Sequence, residues 1–187
     1  MVYLNKYKQI SDEAEKSLYS LVRDLINKNT TNILEVGTYA GQVTVRLAAA
    51  AAEKNDSVRV ISIDDNNDTF SPTAEESLKA SNLFNCSFES DRIEERFEEN
   101  IVKASIIYID RFHNEIEAKL GLIKKSALVP TKVIFRNPKA SSDFPFEITE
   151  ISPQVKPRAR KKITEDTKVV EETKTKVSAK ETKKETT

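Results

Sequence analysis

No stretch of this sequence is apolar for anything close to the ~20 residues that cross a bilayer; its longest nearly apolar runs, 47–52 and 105–109, are far shorter. The opening residues Met-Val-Tyr-Leu-Asn-Lys-Tyr-Lys lack the apolar stretch of a signal peptide. Cysteine is almost absent, and Cys86 alone excludes an internal disulfide and a cysteine-based zinc site. A soluble, cytoplasmic protein that is not exported is therefore expected. Net charge is missing too: 30 Lys+Arg balance 30 Asp+Glu, so no global charge excess draws the 187-residue chain to nucleic acid or membrane. There is no internal repeat.

That zero hides a division. Residues 153–187 hold 11 basic and 6 acidic side chains, leaving 19 basic and 24 acidic in residues 1–152. The tail has no glycine and no aromatic residue and is dominated by Lys, Thr, Glu and Val, without an amphipathic repeat long enough to pack. Such a segment cannot bury enough apolar area to offset backbone ordering at ~1–2 kcal/mol per residue, so it is expected to be disordered. Its cluster of Lys156, Arg158, Arg160, Lys161 and Lys162 can be read as a phosphate contact, but the favoured reading is a solubilising tail, and nucleic acid is not an expected partner. Deleting residues 157–187 should leave the melting temperature and ligand affinity unchanged. A clear loss of stability on truncation would show that the tail packs.

Residues 1–152 suffice for one core, since a domain of that size hides roughly 70% of the surface its unfolded chain exposes. Asp12 and Glu15 can cap a helix reciprocally, and Ala14, Leu18, Leu21, Val22, Leu25 and Ile26 follow at helical spacing. A short apolar run, 32–36, ends at Gly37, and from Gly41 a sequence with five consecutive alanines turns helical. The alternation repeats. Residues 58–63 form a β-branched strand ending at Asp64, and Ser71-Pro72 opens a helix with proline at its first position. A weaker strand at 86–89 and a charged helix at 91–100 come next. A buried-looking strand at 105–109 then ends at Asp110, followed by a helix at 114–127 and a strand at 132–135. Five strands separated by helices predict βαβ units and a parallel sheet. Residues 146–151 alternate as one more strand, antiparallel and at an edge. The expected fold is α/β, a Rossmann-like doubly wound, mostly parallel sheet in three α/β/α layers.

Ligands of such a sheet bind beyond the carboxyl ends of its strands. Three carboxylates and a glycine turn gather there: Glu35 with Gly37 and Gly41, then Asp64, then Asp110. Ile33-Leu-Glu-Val-Gly-Thr-Tyr-Ala-Gly41 resembles the first motif of the class I S-adenosylmethionine-dependent methyltransferases of the O-methyltransferase-like group, in which an acidic residue precedes Gly-x-x-x-Gly. Ile107-Tyr-Ile-Asp-Arg-Phe-His-Asn114 is similar to their fourth motif, Ile-Asp-Gly-Asp-His-Ser. The resemblance implies that Gly37, Thr38, Tyr39 and Gly41 form the loop under the cofactor's methionine part, with Glu35 holding that loop or the amino group. It places Asp64 on the ribose hydroxyls, Ser90 or Asp91 near the adenine amino group, and Asp110 with His113 at the methyl donor and acceptor. An acidic side chain at the second strand's end suits a ribose diol on physical grounds as well.

Each residue also has a plainer reading. Gly37 and Gly41 can make only a tight turn, Asp64 can belong to a solvated capping loop, His113 can be a helix-start residue, and Asp91 can be an N-cap. Arg111-Phe112 replaces the related Gly-Asp, and Asn137 stands where an acidic residue is expected. Divalent cations want several hard oxygen ligands, so no metal is expected. The expected partner is a small molecule or a sugar-like hydroxyl acceptor. The alternatives are a degenerate methyltransferase-fold binding protein and another kind of nucleotide-binding domain. The spacing Gly-x-x-x-Gly in place of Gly-x-Gly-x-x-Gly disfavours the latter.

Overall fold

The computed structural model describes residues 10–38, 40–64, 67–89, 93–110, 116–136 and 145–153, with only the backbone of 67–71. The elements run α1 (Asp12–Leu25), β1 (Asn32–Val36), α2 (Gln42–Lys54), β2 (Arg59–Ile63), α3 (Asn67–Ala80) and β3 (Cys86–Glu89), then α4 (Ile93–Ile101), β4 (Ala104–Ile109), α5 (Ile116–Ser126), β5 (Thr131–Arg136) and β6 (Phe146–Ile151). The six strands form one sheet in the order β3-β2-β1-β4-β5-β6. The first five are parallel, and β6 runs antiparallel to β5, with Ile134 opposite Ile148. The doubly wound sheet with one antiparallel edge strand is as the sequence predicts.

The period of two along each strand divides the core between the two faces. Ile33, Val60, Ile106, Tyr108 and Ile134 pack under Leu18 and Val22 of α1, Val43 and Leu47 of α2 and Leu78 of α3. The opposite residues Leu34, Val36, Ile63, Ile107 and Ile109 pack on Ile93, Phe97 and Ile101 of α4 and Leu120 and Ile123 of α5. Every residue of β4 is buried, as expected of a central parallel strand apolar on both faces. Burying each such large side chain contributes roughly 1.5–3 kcal/mol. At the edge, Lys132 and Glu150 pair across β5 and β6 at 3.4 Å, and their exposure makes that pair worth little.

Two helix starts differ from expectation. The cap of α1 is Ser11, whose side chain accepts a bond from Ala14 N–H at 3.1 Å, so Asp12 is already the first helical residue. Helix α3 begins at Asn67 and carries Pro72 in its interior, not at its first position. The chain forgoes one ladder hydrogen bond there and gains an earlier helix, placing Ala74 beside the start of α2. Among the described residues no helix is long and apolar enough to cross a membrane.

Candidate functional site

Strands β2 and β3 lie on one side of β1, and β4 and β5 on the other, so the strand order reverses between β1 and β4. Sheet hydrogen bonding continues just past the strand ends there. Gly37 N–H donates to Ile63 C=O at 2.9 Å, and Asp110 N–H donates to Val36 C=O at 3.1 Å. Asp64 N–H reaches Glu89 C=O at 3.4 Å. The ends of β2, β1 and β4 therefore bring Asp64, Gly37 and Asp110 to one edge, at the switch point where open α/β sheets hold ligands.

The turn between β1 and α2 needs glycine at both ends, with φ of 104° at Gly37 and 79° at Gly41. Gly41 N–H closes onto Thr38 C=O at 2.9 Å, and Val45 N–H then bonds Gly41 C=O at 3.0 Å to start the helix. A Cβ at Gly41 would stand 2.3 Å from Cβ and 2.7 Å from Cα of Ala74, so its missing side chain is also what lets α2 approach α3. Thr38 N–H donates to Asp64 Oδ2 at 3.0 Å, tying the turn to the end of β2. Asp64 is only 2% exposed, which is not the position of a solvated loop residue.

Beneath the turn, Glu35 is wholly buried. Thr44 and Ser62 each donate a hydroxyl to its Oε2 at 2.6 Å. Thr38 Oγ1 lies 2.6 Å from Ser62 Oγ, and because Ser62 spends its proton on Glu35, Thr38 is the donor in that contact. Oε1 of Glu35 is buried with no hydrogen-bond partner among the described residues. Asp110, 3% exposed, completes a group of three buried acids. Tyr39, Ser90, Asp91 and His113 of the expected site lie outside the described residues, as do Arg111, Phe112 and Asn137.

No protein-family model matches the chain, and no curated protein matches it by sequence. Solved structures do. The chain superposes on the O-methyltransferase TomG of Streptomyces achromogenes, involved in tomaymycin synthesis and in complex with SAM. The TM-score is 0.57 at 17% identity, over 72% of this chain and 64% of that one. An O-methyltransferase from Bacillus cereus in complex with SAH gives 0.56 at 21% identity, over 68% of this chain and 57% of that one. An RNA methyltransferase from Salinibacter ruber in complex with S-adenosyl-L-homocysteine gives 0.56 at 15% identity, over 79% of this chain and 95% of that one. This chain has the class I methyltransferase fold. It spans less than two thirds of the length of the first two of these relatives.

In this class I methyltransferase fold the acid under the first turn sits in an unusual electrostatic position. Burial pushes the Glu35 carboxyl up to about 8; the hydroxyls of Ser62 and Thr44 pull it down, and the charges of Asp110 and Asp64 raise it further. Glu35 is therefore largely protonated at neutral pH. Ser62 and Thr44 are the residues that sequence reasoning missed. Ser62 stands opposite Glu35 in the β1–β2 register, and a polar residue at the one position of an apolar strand that faces the motif's acid was the available signal. Among the described residues no three His, Cys, Asp or Glu side chains are grouped as metal donors.

Proposed function

We propose that the chain binds S-adenosylmethionine at the β1–β4 switch point and transfers a methyl group to a hydroxyl of a small or sugar-like molecule. The observation that carries this is the glycine turn 37–41, held by its Thr38 N–H to the buried carboxylate of Asp64 and flanked by Asp110. The fold likeness to structures in complex with SAM or SAH supports it. The donor set fits such a group: carboxylates suit a ribose diol and an ammonium, and beneath the turn Glu35 has a buried oxygen without a hydrogen-bond partner among the described residues. When bound, S-adenosylmethionine supplies a methyl already activated on a positively charged sulfur. The chain's own residues have then to align the acceptor and take its proton. Asp110 and His113 are assigned that task, with the turn and Asp64 assigned to cofactor binding.

A binding protein without catalysis is the second reading, supported by Arg111-Phe112 where related sequences carry Gly-Asp. An RNA acceptor is a further outcome to test, given the Salinibacter likeness.

Titration calorimetry with S-adenosylhomocysteine and NAD, followed by a labelled-methyl transfer screen over hydroxyl compounds and RNA, separates these readings. Asp64→Ala should weaken S-adenosylhomocysteine binding by roughly 10- to 100-fold, the cost of a lost charge-assisted hydrogen bond at ~1.5–3 kcal/mol. Asp64→Asn, which still accepts from Thr38 N–H, controls for damage to the turn. Asp110→Asn should lower turnover by about 10²-fold with little change in affinity. A folded parent that binds neither S-adenosylmethionine nor S-adenosylhomocysteine would end the proposal. Binding without turnover on any acceptor would establish the non-catalytic reading.

A further inference from the structure

Among the described residues, the hydrogen bonds around Glu35 leave one place for its acid proton. Ser62 and Thr44 each spend their single hydroxyl proton on Oε2, and Thr38 spends its own on Ser62. An oxygen accepting two short bonds behaves as the carbonyl oxygen of a carboxylic acid, so the proton belongs on Oε1, the buried oxygen without a hydrogen-bond partner among the described residues. Among the described residues, the titratable groups that face it are acidic or neutral. Asp64 stands at the end of β2 and Asp110 at the end of β4, Tyr108 is its β4 register partner, and Cys86 lies on β3. From α2 it meets Thr44, while Arg46 of that helix is turned to Glu15 of α1 at 2.8 Å.

We propose that Glu35 is a proton-release site: binding of a cationic ligand beside the three acids, here the sulfonium- and ammonium-bearing S-adenosylmethionine, expels the proton from Oε1, with Ser62, Thr44 and Thr38 positioning the carboxyl. A ligand cation and the proton compete for the same buried negative charge, so whichever binds weakens the other. With the carboxyl raised to about 8 in the free chain, the proton is in place at neutral pH, and affinity for the cation should rise with pH until that value is reached. This inference rests on the S-adenosylmethionine reading above.

Calorimetry of S-adenosylmethionine binding to the full chain, at pH 6 to 9 and in buffers of different ionisation enthalpy, tests it. The parent should release up to about one proton per ligand at pH 7, and its Kd should fall by up to roughly tenfold per pH unit until it levels near pH 8. Glu35→Gln should show neither effect beyond titration of the ligand itself. Thr44→Val removes a donor that favours the ionised carboxyl, so the pH at which affinity levels should move upward. That variant decides the matter if Glu35→Gln does not fold. Binding without proton release in the parent, release undiminished in Glu35→Gln, or an unmoved plateau in Thr44→Val would overturn the coupling and leave the functional reading standing. Absence of binding by the parent would overturn both.

Discussion

Replacing Gly41 by alanine should destabilise the folded chain by about 3 kcal/mol or more, while the same replacement at Gly121 should stabilise it by ~0.5–1 kcal/mol. Two costs add at Gly41. Its φ of 79° is left-handed, which an alanine adopts at roughly 1–2 kcal/mol. The new methyl would also lie 2.7 Å from Cα of Ala74, and backbone cannot give way as the end of a flexible side chain can. Overpacking of that kind typically costs 1–3 kcal/mol. Gly121 lies inside α5 with nothing within 4 Å of a Cβ built there, so alanine gains helix propensity at no steric cost.

Denaturant midpoints of the two variants against the parent make the comparison, with Ala74→Gly in the Gly41→Ala background as a third chain. Removing the Ala74 methyl relieves the 2.3 Å contact but not the 2.7 Å one, so the double variant should recover part of the loss. A Gly41→Ala chain as stable as the parent would mean that α2 and α3 do not approach as described.

The contrast between the two glycines also marks how far local sequence reaches. The bounds of β1, β3 and β6 are legible because short β-branched or alternating runs end at Gly37, at Ser90 and at Ser152, where the pattern stops. The convergence of Glu35, Gly37, Asp64 and Asp110 is equally legible, because a parallel sheet puts all its carboxyl ends on one edge. The reason Gly41 must be glycine is not legible: its constraint is Ala74, on a helix one crossover away. That helix itself runs through Pro72, where the local rule for proline places a start. Ser62 was hidden for a similar reason. Within its strand it reads as one weak polar interruption, and only its pairing with Glu35 across β1 and β2 gives it a partner.

That pairing yields the second large effect: the ligand-free chain should lose stability steadily between about pH 5 and pH 8, and Glu35→Gln should lose much less. Glu35 titrates at its ordinary 4.5 in the unfolded chain and near 8 in the folded one. Between those values the folded state holds a proton that the unfolded state has released. The stabilisation is thus fully present below pH 4.5 and is lost as pH rises through the folded value. The slope is about 1 kcal/mol per pH unit, a few kcal/mol across the window, which is a large fraction of a small domain's total stability. Glutamine keeps an acceptor for Ser62 and Thr44, and its NH2 takes the place of the protonated Oε1, so the variant mimics the neutral acid at every pH. Denaturant titrations of both chains at pH 5, 6, 7, 8 and 9, taken as the difference between them, cancel the titration of the other carboxylates. The parent should converge on the variant, or slightly exceed it, at pH 5, and should fall below it by a few kcal/mol at pH 9. A difference that stays constant with pH would mean that Glu35 is ionised in its buried position, and some cation that its described neighbours do not supply would then have to balance it.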